Sequence, residues 1–291
     1  MLGAEMVVPW KTPSSFTTEV EDKTFIQALT NILIVAVENK RMAREQQIQE
    51  AYQKELEIAN KIQNFLFPKT LPDSPKIKVE AFYLPHHNVG GDYYDFIKIT
   101  EEKFMICVAD VSGKGVPAAL LMSNFQATLR VIVRKTNDIE EMVRELNKST
   151  FLSGNGEHFI TFFLAFYDFG AKTFEYINCG HNPLYIVQEG TLKSMNEGTT
   201  VLGMFEPLPF LSSETISDLE EFVFFGFTDG LNETFNEDDE QFGEKRIEDY
   251  LCANRNTDAL HNGLLQELDA FRGKIPYADD ITMITCRVNN S

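Results

Sequence analysis

Cysteine is scarce in this chain, and the few cysteines present are far apart. Four occur in 291 residues, and no two of them form a C-x-x-C pair: Cys107, Cys179, Cys252 and Cys286. This spacing argues against a zinc knuckle and against the disulfide framework of a small secreted protein. We therefore expect reduced core thiols and a cytoplasmic protein.

Long apolar runs and excess positive charge are also missing. The most apolar early run, residues 32–37, is too short to span a bilayer, and no basic region followed by an apolar signal segment opens the chain. The formal net charge is -18, from 44 acidic and 26 basic side chains. A field of this sign repels nucleic acid and anionic membrane surfaces. We therefore predict no nucleic-acid partner and no direct membrane contact.

Proline and glycine are absent from residues 23–67, where apolar residues recur at helical spacing until Pro68. The sequence therefore predicts a linker helix over residues 23–67, preceded by a loop over residues 1–22. Two interpretations of this helix stay open: it packs along its own domain, or it forms a parallel coiled coil in a homodimer. The highly charged middle of the helix favours the homodimer, whereas the weak heptad pattern at residues 43–48 argues against it.

Beyond a proline-rich turn at residues 68–75, the pattern changes to strands. Runs rich in β-branched and aromatic residues are bounded by turn residues, at 77–83, 93–99, 104–109, 159–169, 173–178, 184–188, 222–227 and 281–288. Helical patterns occupy residues 117–135 and 139–149, and a third lies near residues 245–272. Runs of strands with helices grouped between them indicate an α+β domain over residues 68–291, with stacked sheets flanked by helices.

Several acidic positions share one local pattern, an aspartate at the end of an apolar strand beside glycine or another acid. They are Asp92 in GGDYYDF, Asp110 in CVADVSGKG, Asp229 in FGFTDGLNE, and Asp279 with Asp280 in ADDITMIT. Strand ends are rigid, and carboxylates that converge from them require a cation to stay ionised together. Oxygen ligands without histidine or cysteine select Mg²⁺ or Mn²⁺ over zinc.

Each of these aspartates taken alone could instead cap a turn. The repetition of one pattern at four places favours a shared site. Such a site could hold two divalent ions, which activate a water molecule for attack on phosphorus. The chemistry that this predicts is phosphate-ester hydrolysis without a protein nucleophile.

A family resemblance rests on segments that follow one another in order: GGDYYDF, ADVSGKGVPAALLM, INCGHNPLYIV, LGMF, FTDGLNET with FGEKRI, and DDIT. Together they resemble the SpoIIE/RsbU branch of the metal-dependent (PPM, type 2C-like) serine/threonine protein phosphatases, over residues 57–288. The resemblance implies a sandwich of two stacked antiparallel sheets. It also implies a catalytic, metal-binding set of Asp92, Asp110, Asp229 and Asp279, with the Val111 carbonyl and Asp280 as further ligands of two Mn²⁺ or Mg²⁺ ions.

The same resemblance implies a substrate and an upstream partner. The substrate would be phosphoserine or phosphothreonine on a small, STAS-like antagonist of an anti-sigma factor in bacterial partner switching. Residues 24–47 resemble the helix that closes a GAF sensor domain. The alternative is a catalytically weak phosphatase fold that serves as a dimeric, signal-responsive binding platform. The filled acidic motifs argue against that alternative.

Other polar positions keep two interpretations. Residues 113–118 fit a dinucleotide-binding G-x-G-x-x-A pattern, but Asp110 would bring negative charge close to a pyrophosphate. His181 could orient a substrate phosphate or protonate the leaving serine, or it could be a turn histidine bonded to backbone. His86 and His87 could lie near the metals, but a solvated loop is favoured. Lys114 could screen a substrate phosphate or could simply be exposed, and the sequence does not decide.

Overall fold

A computed structural model describes residues 18–254 and 260–289, and its longest element is helix α1, Thr18–Gln63. The helix begins before the predicted start at residue 23 and ends before the predicted end at residue 67. It ends early because Phe67 is buried against the rings of Tyr83 and Tyr94, with ring centroids 4.8 and 5.0 Å apart. Residues 1–17 of the predicted loop lie outside the described residues.

The chain divides into two units, Met1–Glu55 and Leu56–Ser291, and α1 contributes to both. In the first unit, large apolar side chains of α1 are exposed to solvent: Phe25, Ile26, Leu29, Ile32, Leu33, Ile34, Val35, Val37, Met42, Ile48 and Tyr52. Charged residues lie between them, including an ion pair of Arg41 with Glu38. No helix within the described ranges has the length and hydropathy needed to cross a bilayer.

The second unit contains two β-sheets. Lined up by hydrogen bonding, the first sheet contains β1 (Ile77–Leu84), β11 (Ile281–Val288), β10 (Phe222–Phe227), β6 (Leu184–Gln188) and β7 (Thr191–Met195). The second contains β2 (Tyr93–Lys98), β3 (Lys103–Val111), β4 (Ile160–Asp168), β5 (Thr173–Cys179) and β8 (Gly198–Thr199), with β9 (Glu214–Ile216) also on β5. Neighbouring strands are antiparallel, apart from the short parallel pair of β5 and β8. The predicted α+β class with two stacked sheets is confirmed.

Helices cover the outer faces of both sheets. They are α2 (Val116–Ile132), α3 (Ile139–Gly154), α4 (Asp229–Asn232), α5 (Gly243–Asn254) and α6 (Leu260–Arg272). The single helical region predicted near residues 245–272 is therefore two helices, with residues 255–259 between them outside the description. Pro117 lies in the first turn of α2, where its missing N–H costs nothing.

Strand β3 shows how the layers are built. Its residues alternate between two hydrophobic cores: Phe104, Ile106 and Val108 pack between the sheets, while Met105, Cys107 and Ala109 pack under α2 and α3. A strand buried on both faces reads as a continuous apolar run, which is why the sequence marks it clearly. The order of layers is helices, sheet, sheet, helices.

Candidate metal centre

Strand pairing brings the predicted aspartates to one edge of the sandwich. Tyr93 pairs with Ala109, so Asp92 at the start of β2 lies beside Asp110 near the end of β3. In the other sheet Phe227 pairs with Met283, so Asp229 follows β10 where Asp279 and Asp280 precede β11. The carboxylate of Asp110 interacts electrostatically with Asp229, Asp279 and Asp280. The strand-end pattern therefore corresponds to one acidic cluster.

Asp92 is buried and held by two hydroxyl groups. Its Oδ2 accepts hydrogen bonds from Thr228 Oγ1 at 2.6 Å and Thr282 Oγ1 at 2.5 Å. Burial raises the pKa of Asp92 well above its usual range, and the neighbouring Asp110 and Asp280 raise it further, against the two hydroxyl groups. The threonines fix the direction of this side chain without neutralising it.

Asp110 and Asp229 also have raised pKa values. Burial, followed by repulsion from Asp229, Asp279 and Asp280, raises the pKa of Asp110 to about 8. Burial raises the pKa of Asp229 to about 6, with contributions from Glu233 and Asp279, while Lys114 acts in the opposite direction. The protein thus supplies too little positive charge for these carboxylates to ionise freely together.

Asp279 carries the cluster's ion pair with a lysine. The Nζ atom of Lys114 lies 2.6 Å from Asp279 Oδ2 and donates to the carbonyl oxygen of Ala278 at 2.7 Å. Lys114 belongs to the turn between β3 and α2, where Gly113 and Gly115 adopt positive φ angles of 93° and 70°. Lys114 is exposed and is also paired with Asp279 beside the cluster, and a role in screening a substrate phosphate stays a prediction.

Asp280 holds the loop before β2. Its Oδ1 accepts the backbone N–H of His86 at 2.7 Å, and its Oδ2 accepts that of Gly91 at 2.8 Å. The imidazole rings of His86 and His87 contact each other and are exposed. Only the His86 backbone therefore contributes to the cluster, and both rings are solvated.

The glycines of GGDYYDF are required by close approach. A Cβ atom at Gly90 would lie 2.2 Å from Asp280 Oδ2, and one at Gly91 would lie 2.9 Å from the carbonyl oxygen of Val111. Any larger residue would displace the carboxylate or the carbonyl. The Val111 carbonyl oxygen thus lies against Gly91, the residue before Asp92.

His181 connects the two sheets. Its Nδ1 lies 2.8 Å from Thr161 Oγ1 on β4, and its Nε2 lies 3.0 Å from the carbonyl oxygen of Phe227 on β10. Since a carbonyl only accepts, Nε2 donates and Nδ1 accepts from the threonine. Burial lowers the pKa of His181 to about 4. Both ring nitrogens are used, which supports the structural interpretation over a role as general acid.

Several residues around the cluster were not predicted from sequence. Thr228 directly precedes Asp229, and Thr282 lies two residues after Asp280. A threonine this near to each acidic motif was an available signal. Tyr83 was not signalled: its pKa is raised by burial and by Asp280 and Asp92, so its hydroxyl stays protonated beside the cluster. Glu233, one turn after Asp229, adds a further negative charge.

The oxygen donors of the cluster are of the type that a hard divalent cation prefers. The cluster offers carboxylate oxygens and one backbone carbonyl, with their negative charge largely unbalanced by the protein. As the side chains stand, no group of three or more His, Cys, Asp or Glu among the described residues could hold an ion. Asp92 faces two threonines, Asp280 faces backbone amides and Asp279 faces Lys114. Closure around an ion therefore requires side-chain rotation at fixed strand ends.

Comparison with known proteins gives the family. The sequence profile of Stage II sporulation protein E (SpoIIE) matches residues 100–289, which is more than half of the chain. The chain belongs to the SpoIIE family. The profile match begins after Asp92 and includes Asp110, Asp229, Asp279 and Asp280.

Relatives of this SpoIIE-family chain agree with the fold. It is 30% identical to Protein IcfG of Synechocystis sp. over 263 residues, covering 79% of this chain and 41% of IcfG. It is 27% identical to phosphoserine phosphatase RsbU of Bacillus subtilis over 247 residues, covering 82% of this chain and 72% of RsbU. The SiaA-PP2C domain of Pseudomonas aeruginosa superimposes with a TM-score of 0.73 at 20% identity, covering 83% and 98% of the two chains. The fold is that of PP2C-type phosphatases, and the chain spans less than half of IcfG.

Proposed function

We propose that this SpoIIE-family domain is a Mn²⁺- or Mg²⁺-dependent phosphatase that hydrolyses phosphoserine or phosphothreonine in a protein. The observation that carries the proposal is the acidic cluster at one edge of the sandwich, where Asp110 interacts with Asp229, Asp279 and Asp280. Carboxylates this close need a cation, and two divalent ions there would stabilise charge on a phosphate and activate water. The overall reaction is phosphoserine plus water to serine plus phosphate.

The proposed roles follow the position of each group. Asp92, Asp110, Asp229 and Asp279 would hold the two ions, together with the Val111 carbonyl. Thr228 and Thr282 donate to Asp92 Oδ2 and so fix the direction of this carboxylate until an ion competes for it. Asp280 accepts hydrogen bonds from two backbone N–H groups and so holds the Gly90-Gly91 loop. Any bond from Asp280 to an ion would use its remaining lone pairs.

Neutralising one carboxylate at a time tests the metal-dependent function. We expect Asp110→Asn and Asp229→Asn each to abolish Mn²⁺-dependent phosphate release from a phosphoserine peptide while the circular-dichroism spectrum stays unchanged. The control is Asp249→Asn, which removes an exposed carboxylate of α5 that pairs with Lys245, away from the cluster. Unchanged turnover in both site variants would contradict the proposal.

A phosphorylated, STAS-like antagonist of an anti-sigma factor is the substrate that we propose. Support comes from the similarity to RsbU, which is named a phosphoserine phosphatase. The test compares phosphate release from a phosphorylated antagonist protein with release from a peptide carrying the same phosphoserine. A protein substrate docked outside the metal centre should be hydrolysed with a lower KM than the peptide. Equal KM values would argue against recognition of a folded partner.

We also propose a homodimer through α1 and a cytoplasmic location. The exposed apolar side chains of α1 give the reason for the dimer, since burying them requires another helix. The free thiols, three of them buried, suit a reducing compartment. Light scattering of the full chain should give a dimer mass, and Leu29→Asp with Ile32→Asp should halve it. That residues 24–47 close a GAF-like sensor domain stays a prediction.

A catalytically weak binding platform is the competing function. It is favoured by the side-chain directions of the cluster, in which no three described ligand residues surround one point. Calorimetric titration with Mn²⁺ separates the two functions, because an enzyme of this kind should bind Mn²⁺ with millimolar or tighter affinity. The absence of such binding by the full chain would favour the platform.

A further inference from the structure

The last residue of α1, Gln63, makes an unusual pair of contacts for a helix-terminal side chain. It is only 5% exposed. Its Nε2 donates to the carbonyl oxygen of Gly90 at 2.8 Å, and its Oε1 accepts the N–H of the same residue at 3.2 Å. A primary amide is the side chain that can donate and accept at once in this way. Gln63 thus satisfies both backbone polar groups of Gly90.

The backbone of Gly90 has little freedom around these contacts. Its Cα lies so close to Asp280 that an added Cβ would be 2.2 Å from Oδ2, and the next N–H, that of Gly91, donates to the same oxygen at 2.8 Å. Gly91 in turn packs against the carbonyl of Val111. A shift of this peptide would therefore move Asp280, the Val111 carbonyl and the start of Asp92 together.

The end of α1 is itself fixed, so it can serve as a reference point. Phe67 is buried beneath Tyr83 and Tyr94, and the turn that joins it to the helix is closed by the bond from Leu66 N–H to the Gln63 carbonyl oxygen. One turn earlier, Asn60 Nδ2 donates to the carbonyl oxygen of Asn88. Two side-chain amides of one helix thus hold the loop of residues 88–91.

We propose that Gln63 is a positioning residue for the metal centre: by clamping the Gly90 peptide, it holds Asp280 and the Val111 carbonyl in register with Asp92. This inference rests on the proposed metal-dependent function. Groups that orient metal ligands typically change metal affinity 10- to 100-fold when they are removed. Gln63 contacts the proposed ligands through the Gly90 peptide and not directly, so we expect a change in metal affinity at the lower end of this range.

The experiment compares two equally buried glutamines. Gln126 is 6% exposed and donates to the Leu66 carbonyl oxygen at 3.2 Å, away from the Gly90 loop. Gln63→Met and Gln126→Met remove the same amide with little change in volume. We expect about tenfold weaker Mn²⁺ binding by calorimetry for Gln63→Met only. In the metal-free protein, amide hydrogen exchange over residues 86–92 should become about fivefold faster, as for one lost hydrogen bond, again for Gln63→Met only.

Each outcome decides the proposal. Equal effects of the two substitutions, or no effect on exchange in the loop, would overturn it. A glutamine with a purely structural role would lower the melting temperature without a specific change in Mn²⁺ affinity or in exchange of the loop. If Gln63→Met does not fold, Asn60→Ala removes the neighbouring, half-buried amide and should shift exchange and Mn²⁺ affinity in the same direction; no shift would overturn the proposal. If the unmodified chain binds no Mn²⁺, the proposed function fails, and the exchange rates alone decide the clamp.

Discussion

Two aspartates of the GGDYYDF segment, three positions apart, have the same burial and opposite surroundings. Asp95 is fully buried and accepts from Arg130 Nε at 2.9 Å, from Arg130 Nη2 at 3.2 Å and from the Tyr93 hydroxyl at 2.5 Å. Asp92 is 1% exposed; its carboxylate accepts from two neutral hydroxyl groups, lies within hydrogen-bonding reach of Asp110, and has Asp110 and Asp280 as charged neighbours. The protein compensates one carboxylate and leaves the other uncompensated.

The comparison shows that burial alone does not distinguish a carboxylate with a structural role from one at a functional site. A buried carboxylate with a guanidinium partner ties β2 to α2 and is a matter of stability. A buried carboxylate among like charges costs stability unless something outside the chain balances it, which marks a functional site. The deciding partner, Arg130, lies 35 residues away in sequence, so the segment GGDYYDF alone does not distinguish Asp92 from Asp95.

Asp92→Asn should have the largest effect on activity and the opposite effect on the fold. Loss of one ligand removes several kcal/mol of charge stabilisation, so Mn²⁺-dependent turnover should fall about a thousandfold. In EDTA at pH 8 the variant should be more stable than the unmodified chain by on the order of 1 kcal/mol, since an uncompensated charge is gone. Phosphate release and urea unfolding measure the two effects. A variant that is less stable in EDTA would break the comparison.

Asp95→Asn should lower stability and leave Mn²⁺ affinity nearly unchanged. The variant loses the ion pair with Arg130, and we expect a loss of about 2 kcal/mol; the usual cost of breaking a buried pair is larger, but the Arg130 side chain is 39% exposed and can be hydrated. Mn²⁺ affinity should change less than twofold, because Asp95 faces α2 rather than the cluster. Urea unfolding and calorimetry check this, and Arg130→Met should cost a similar amount. A large loss of Mn²⁺ affinity would show that the two aspartates are not separate.

Most strands were predictable because their side chains are buried on both faces. Strand β10, with all six residues of FVFFGF buried, is a short run rich in aromatic residues, and its length and composition indicate a strand rather than a helix. The missed strands lack such a run: β7 contains TLKSM with alternating exposure, and β8 and β9 have two and three residues. Their pairing depends on neighbours distant in sequence. The start of α1 at Thr18 was also missed, since residues 18–22 carry no apolar periodicity.

The acidic residues of the site were predictable, and their supporting contacts were not. An aspartate at a strand end can be recognised within a few residues of sequence, whereas the bond from Thr282 to Asp92 spans 190 residues and that from Gln63 to Gly90 spans 27. His181 kept two interpretations because its role depends on Thr161 and Phe227, on two different sheets. Sequence patterns find the reactive groups, and tertiary contacts decide their orientation.

The pH dependence of stability should reveal the carboxylates of the acidic cluster, which lack a sufficient positive charge nearby. The pKa values of Asp110 and Asp229 are raised to about 8 and about 6, so their favourable contribution is complete below pH 4 and is lost as pH rises through these values. His181 and His261 have pKa values lowered to about 4, so their contribution is lost only as pH falls below 6.5. Between pH 6.5 and about 8.5, the pKa of an unfolded cysteine, the carboxylates should set most of the slope; the buried thiols, whose pKa values are raised, add to it mainly at higher pH.

We therefore expect the metal-free protein to lose on the order of 1 kcal/mol between pH 6.5 and pH 8.5. Thermal unfolding in EDTA across this range measures the loss, and Asp110→Asn should flatten the profile, whereas Asp249→Asn should leave it unchanged. Saturating Mn²⁺ should reverse the slope, because metal binding requires ionised carboxylates. A profile in EDTA that rises with pH would contradict the assignment of raised pKa values.

Lys114 should have the smallest effect, because it compensates the cluster only in part. Its ion pair with Asp279 joins side chains that are 47% and 40% exposed, so solvent screens it and it is worth at most about 1 kcal/mol. A divalent ion at Asp279 must displace the ammonium group, so Lys114→Met should bind Mn²⁺ up to about fivefold more tightly by calorimetry, with a smaller gain in 0.5 M KCl. Lys245→Met, which breaks the exposed pair with Asp249, is the matched control and should leave the affinity unchanged. Weaker binding by Lys114→Met would mean that the lysine orients Asp279 for the ion, and the cluster would then be better compensated by the chain than its contrast with Asp95 indicates.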